Sequence, residues 1–432
     1  RLVTANIANP AAITTAAMAR MFHLKRRSRV MKKKLIVNSQ NLLVQSKKTW
    51  PWLISALTLG LSLSTTITPA QLKTNQQIES QDDALIIGQS IPLTGPSAEL
   101  GKKYHAGAMA WLTHINKQGG IHGQKIKLLS LDDQYEPQQT IVNTQKLIQQ
   151  PDLIALFGFI GTPTSKVVLP IVERERIPFV APLTGASLLR DDDLKMVFNM
   201  RASYAREIQA IVNSLVRNAQ QRIAVIYQND AFGEDGLQAT LAALKTHDLK
   251  PLTTATVERN SANVRRAVNT IADANPNAVI IISAYVSSAA VSKALRDRRM
   301  NVQIMNVSFV GTGALEEALP PGQANGIGIS QVVPFPWNRW IPVVSRYQQL
   351  MRKYNPNAAY GFTSLEGFIA AQMLTIALER AGKNPSRAKL AKSLESIQNL
   401  DLGGYTIDFA SDDHQGSDYV ELTFLGAQQW EP

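Results

Sequence analysis

From residue 85 onward the chain alternates short, β-branched apolar runs with amphipathic stretches of helical period. The runs at 85–93, 125–131, 153–157, 179–182, 222–227, 252–257, 278–283, 303–307 and 327–333 are expected strands. Several, such as IALF, IAVIY and AVIIIS, are apolar at nearly every position. That suits parallel strands covered on both faces rather than a sheet with one wet face. Helical stretches fill the gaps at 101–118, 138–149, 164–173, 205–218, 233–247, 263–272 and 287–299. This βαβ alternation predicts parallel sheets with right-handed crossovers. A closed barrel of about 250 residues would also use eight such strands. Two open sheets fit better, because the last third changes character, with helices at 343–354, 364–381 and 387–396. A short hairpin-like end at 405–409 and 419–425 closes the pattern. The predicted fold class is α/β, with two doubly wound, Rossmann-like lobes.

Net charge changes this picture less than its total implies. The chain carries 45 Lys and Arg against 33 Asp and Glu, a formal +12, which taken alone points to nucleic acid. Residues 1–70 hold eleven of the basic residues and no acidic one, leaving 34 against 33 for the remainder. The basic character belongs to this leader, and no nucleic-acid partner is expected. Lys47 and Lys48 precede an apolar stretch at 53–67, and Thr68-Pro69-Ala70 supplies small residues before Gln71. That order describes a secretory signal, expected to be cleaved near Ala70; about fifteen residues diluted by Ser and Thr are short for a membrane span. Residues 71–84 are polar and aperiodic, an expected flexible N-terminus of the mature chain. Cysteine is absent, which excludes disulfides, thiol nucleophiles, thiolate metal sites and a lipid-modified cysteine. The expectation is a free protein in the periplasm of a Gram-negative cell.

The sequence has no G-x-S-x-G elbow, no G-x-x-x-x-G-K-[ST] phosphate loop and no H-E-x-x-H. Its six His are scattered. Asp132-Asp133 and Asp191-Asp192-Asp193 sit where Asp commonly serves turns and helix caps. No catalytic residue, metal or cofactor is expected. Three small, hydroxyl-rich segments instead follow successive strands, where open α/β sheets bind ligands. They are PLTGPSA at 92–98, which includes Ser97, GFIGTPTS at 158–165, and PLTGAS at 182–187. Thr162 is expected to cap a helix with Pro163 at its first position, leaving N–H groups and the positive dipole end for a carboxylate. Thr184 offers a hydroxyl and a carbonyl, and Gly185 permits close backbone approach.

Residues 86–133 carry T-G-P-x-A-x-x-G, then I-N-x-x-G-G-I-x-G, then a strand ending in D-D; GFIGTPTS, IPFVAPLTGA and IAVIYQNDAFGEDG follow. Together these resemble the type I periplasmic binding proteins of branched-chain amino-acid ABC importers, over essentially all of 85–425. The resemblance implies two lobes joined by three crossover strands, with residues 85–204 and 335–404 in the first lobe. Residues 205–334 and 405–432 form the second, with crossings near 202–205, 331–335 and 401–405. It further implies a monomeric, non-enzymatic protein that closes by a hinge on a small polar ligand: an amino acid, an amide or a related organic acid. The closed form would then engage the membrane permease of an ABC importer.

By position, the resemblance assigns the ligand carboxylate to Thr162 and Thr164, with contacts from Thr184 and Gly185. Phe232 matches an aromatic lid, Tyr285 ends a second-lobe strand, Tyr204 lies beside the first crossing, and Leu100 forms a wall. One departure stands out. Where the family often places a carboxylate for a ligand ammonium, this chain has NVSFVG at 306–311, around Ser308. Asp230 and Glu207 are the candidate substitutes. A sensory receptor module of the same fold is the alternative function, and an exported hydrolase, lacking a recognisable nucleophile–base pair, a more distant one.

Overall fold

In the computed structural model, which describes residues 84–426, the apolar runs become two parallel sheets. All described residues belong to one compact unit. The expected leader at 1–70, and residues 71–83, lie outside the described residues.

The first sheet contains β1 (Leu85–Ile91), β2 (Ile126–Asp132), β3 (Leu153–Phe157), β4 (Phe179–Val180) and β5 (Val197–Phe198), all parallel, in the order β2-β1-β3-β4-β5. Its first three connections are α1 (Ala98–Lys117), α2 (Pro137–Ile148) and α3 (Thr162–Glu175). After α4 (Tyr204–Arg217) the pattern repeats with β6 (Ile223–Gln228), α5 (Ala231–Lys245), β7 (Thr254–Val257), α6 (Arg265–Ala274), β8 (Ala278–Ile282), α7 (Tyr285–Asp297), β9 (Gln303–Asn306), α8 (Thr312–Ala318) and β10 (Gly328–Gln331). These strands run β10-β9-β8-β6-β7, again parallel. Strands β3 and β8 are buried at every position, as their unbroken apolar sequences require. Each sheet therefore reverses its strand order once, between β1 and β3 and between β6 and β8. In a doubly wound sheet the crevice at such a reversal is where a ligand sits.

The chain then returns to the first sheet through α9 (Pro342–Tyr354), α10 (Phe362–Ala381) and α11 (Arg387–Glu395). Helix α10 is buried along most of its length and packs on α1. There the Trp111 indole N–H donates to Thr375 Oγ1 at 2.8 Å, and the indole meets Phe368 edge-on at 5.3 Å.

The chain's end departs from expectation. Strands β11 (Leu400–Asp401) and β12 (Thr406–Ile407) pair antiparallel with each other, because Gly403 and Gly404, at φ 97° and 92°, turn the chain straight back. The Asp401 carboxylate accepts from both of their N–H groups, at 2.8 and 2.7 Å. Residues 405–416 therefore stay with the first sheet: Phe409 and His414 pack on Phe198 at 5.8 and 4.1 Å. Strand β13 (Glu421–Phe424) pairs not with that segment but antiparallel to β10, as the edge of the second sheet. The expected terminal hairpin is thus two strands in two different places, and the third crossing follows Gly416 rather than running at 401–405. Strand β5 and helix α8 escaped the sequence pattern, the first for its two residues and the second for its Gly-rich start.

The Trp111–Thr375 bond crosses the α1–α10 contact far from the sheet ends. Replacing Thr375 by Val should leave a buried indole N–H unpaired and lower the unfolding free energy by about 1–3 kcal/mol, read by urea denaturation.

Candidate functional site

The loops at the two reversals face each other across the molecule. On the first sheet's side, Asp132 and Asp133 hold them in shape. Asp132 accepts from the Leu93 and Thr94 N–H groups at 2.8 and 3.3 Å and from the Thr94 hydroxyl at 2.5 Å, fixing the segment after β1. Asp133 accepts from Ser90 Oγ, Thr140 Oγ1 and the Tyr135 N–H at 2.9, 3.2 and 3.0 Å. Burial nevertheless outweighs these bonds and pushes its carboxyl pKa up to about 6.

Thr162, Thr164, Ser165 and Thr184 are all completely buried, gathered where the segments after β3 and β4 meet. Helix α3 begins at Thr162 itself, with Gly161 as its N-cap at φ 98°, so Thr162 does not cap it as expected. A side chain on Gly161 would need this unfavourable φ and would lie 2.2 Å from the Tyr135 ring. The Thr162 hydroxyl instead hydrogen-bonds Thr184 Oγ1 at 2.7 Å. Thr164 Oγ1 donates to the Ile160 and Gly161 carbonyls at 2.5 and 2.9 Å. At the start of α3 the Gly161 N–H donates to the Leu183 carbonyl at 3.1 Å and Pro163 has no N–H, which leaves the Thr162 and Thr164 N–H groups without intrahelical acceptors. Gly185 is a close approach of a different kind: a Cβ there would sit 2.6 Å from the Tyr204 backbone nitrogen, whose N–H donates to the Gly185 carbonyl at 2.8 Å.

The second sheet contributes an aromatic wall. Asp230 caps α5 through the Phe232 and Gly233 N–H groups at 3.0 and 3.5 Å, which turns Phe232 inward. Its ring lies 5.1 Å from Tyr204 and 4.7 Å from Phe309, and Phe309 lies 5.7 Å from Tyr135 of the first side. Tyr285, at the start of α7, has its hydroxyl against the Glu99 backbone of α1. Ser97 donates to Asn260 Oδ1 at 2.7 Å. Arg259 beside it reaches Glu136 at 2.8 Å and Asp230 at 3.2 Å. The two sides are therefore in contact along both lips.

Between them sits a buried charge cluster. Arg201, on the first crossing, is 1% exposed. It lies 3.4 Å from Glu207 of α4 and 3.6 Å from Glu366 of α10, and its Nη2 donates to Ser308 Oγ. The Ser308 N–H donates to Glu207 Oε2 at 2.8 Å, and Ser330 Oγ donates to the same oxygen at 2.6 Å. Ser308 thus serves the protein's own charges. Neither candidate substitute carboxylate is free: Glu207 is engaged here, and Asp230 by its cap, Arg259 and Gln228. Arg190 ties the node to the neighbouring strands, donating to the Arg201 carbonyl at 2.8 Å, the Gly185 carbonyl at 3.4 Å and Gln415, just before the third crossing.

Glu366, like Arg201, is a residue that sequence reasoning missed. It is 5% exposed and lines, with Leu100, Leu183, Ser308 and Phe362, a cavity of about 10 Å³ between the two sides, near the lower limit for one water. Burial, with Glu207 adding to it against the pull of Arg201, pushes its carboxyl pKa up to about 7. Glu366 shares its guanidinium partner, Arg201, with Glu207. A Glu in an otherwise apolar helix face, LEGFIAAQML, was its sequence signal.

Residues 85–425 match the family described as periplasmic binding protein. A structure of a possible leucine/isoleucine/valine-binding protein from Rhodopirellula baltica is 34% identical, covers 80% of this chain and 95% of its own, and superposes with a TM-score of 0.76. An amino acid binding protein of Pseudomonas aeruginosa is 24% identical over 232 residues, 54% of this chain. That match spans 62% of the relative's length, just under two thirds. Leu/Ile/Val-binding protein homolog 3 of Brucella melitensis is 22% identical over 328 residues, 76% of this chain and 87% of its own.

An acid whose pKa rises on folding binds its proton more tightly in the native state, so stability is fully present below its unfolded value and falls as pH rises toward the folded one. Glu366 places that window between about 4.5 and about 7. The slope is at most about 1.4 kcal/mol per pH unit. Between pH 5 and pH 7.5 the urea midpoints of Glu366→Gln should fall less steeply than those of the wild type, with Asp133 still lowering stability as pH rises and His105, His114 and His414, whose pKa values burial lowers, raising it. An undiminished fall in the variant would contradict this assignment.

Proposed function

We propose that this chain, which belongs to the periplasmic binding protein family, captures an α-amino acid between its two lobes and presents the closed form to the membrane permease of an ABC importer in the periplasm. The family is one of binding proteins rather than enzymes. The observation that carries the choice of ligand is Glu366. A buried carboxylate without full compensation is costly, and it is relieved either by a proton or by a cation. A ligand ammonium placed in the cavity between Glu366 and Ser308 gives Glu366 a cation of its own and lets it ionise while Arg201 stays with Glu207. The counter-charge absent from 306–311 is then supplied by α10 instead.

The other contacts follow from the same geometry. The α3 N-terminus, with Thr162 and Thr184 beside it, draws the ligand carboxylate through orphan N–H donors and the helix dipole. Phe232, Phe309 and Tyr204 form an apolar wall for the side chain, and the relatives named for leucine, isoleucine and valine support an aliphatic one. Tyr285, reaching the Glu99 backbone from the second lobe, and Ser97, bonded to Asn260, act on closure rather than first capture. Only groups that bind the ligand from both lobes shift the equilibrium toward closure.

Calorimetric titration with leucine, isoleucine and valine, their amides and their 2-hydroxy acid analogues tests this reading. The amino acids should bind, and Glu366→Gln should weaken them about 10- to 100-fold, the range for losing a charged hydrogen-bond partner. Affinity for the hydroxy acids, which lack the ammonium, should change little. Amino-acid affinity unchanged by Glu366→Gln, or binding confined to the hydroxy acids, would overturn it.

A further inference from the structure

Outside the cleft, a groove of about 740 Å³ opens where the second crossing and the start of α10 face α8 and β13. This is a volume suited to a small organic ligand. Its floor is aromatic: Phe335 and Trp337 lie 5.1 Å apart, and each is 6.0 Å from Phe362. Phe424 completes the wall from β13 and is 47% exposed. The rim is acidic, with Glu316, Glu317 and Glu421 against the single lysine Lys103. Lys103 is already paired with Glu317 at 2.8 Å. The groove therefore combines aromatic rings with an excess of negative charge, the combination that attracts a cation with an apolar body. It uses residues of both lobes, and of those lining the Glu366 cavity it shares Phe362 and Thr363.

We propose that this groove is a second binding site, selective for an organic cation of aromatic-amine size, separate from the solute cleft. A ring or alkyl body would pack on Trp337 and Phe362 while its positive head meets Glu316 and Glu421. A neutral molecule gains only the packing, and an anion meets like charge.

Tryptophan fluorescence of the whole protein, titrated with benzyltrimethylammonium, tests the site, with benzyl alcohol and phenylacetate as the neutral and anionic probes. The cation should give a saturable change, with both controls weaker by about tenfold or more. The exposed-rim double variant Glu316→Gln/Glu421→Gln should bind the cation about tenfold more weakly, and Trp337→Phe should remove the signal. An equal response to phenylacetate, unchanged affinity in the double variant, or a signal surviving Trp337→Phe would each overturn the proposal. Because the readout is independent of solute binding, failure here leaves the amino-acid reading standing, and the reverse also holds.

Discussion

Arg201 sits on the first crossing with almost no solvent, held between a carboxylate from α4 and one from α10. Desolvating a guanidinium costs several kcal/mol, and removing one partner of a buried pair typically costs about 3–5 kcal/mol more. A fold keeps such a group only if the surrounding elements are fixed around it. Here they are the first crossing, the 3-10 turn at Ser308, the start of α4 and the interior of α10. The Arg201 side chain is thus a physical joint between the lobes, and Arg190 extends it to Gln415 at the foot of the third crossing. Glu366 shares that guanidinium with Glu207, and burial raises its carboxyl pKa to about 7. Under the proposed reading, that carboxyl links the mechanical joint to the chemistry of the ligand.

The doubled topology explains why so much function converges on this point. Both sheets share one strand order apart from the added β13 edge, so each has its reversal crevice on the side facing the other. Hydroxyl-rich turns after β1, β3 and β4 meet aromatic and capped turns after β6 and β8. The same chain positions that close each sheet also form the cleft walls. Glycines 161 and 185 let the rings and backbone of Tyr135 and Tyr204 approach these turns.

The sheets and their connecting helices were legible because buried parallel strands read as unbroken apolar runs. The three segments after β1, β3 and β4 were legible from their small, hydroxyl-rich composition. Less visible were features decided by tertiary contact. Nothing local told that 405–409 pairs back on Leu400–Asp401 while β13 joins the other sheet; the Gly403-Gly404 turn was the only local cue. Thr162 looked like a cap because Thr-Pro often is one, yet Gly161 at positive φ takes that place. Glu366 was hidden because its partner Arg201 is 165 positions away in the chain, and Ser308, singled out for a missing charge, bonds Arg201 and Glu207 instead. The lip contacts of Arg259 and Asn260 with Glu136 and Ser97 likewise join segments more than a hundred positions apart.

The account rests on Arg201 joining the lobes as they close on the solute, and small-angle scattering tests this directly. The wild-type protein should compact on adding leucine. Arg201→Lys keeps the charge but loses the planar fork that spans Glu207, Ser308 and Glu366, so its compaction should be lost or need far more ligand. A lysine variant that folds and compacts at the wild-type leucine concentration would contradict the central claim.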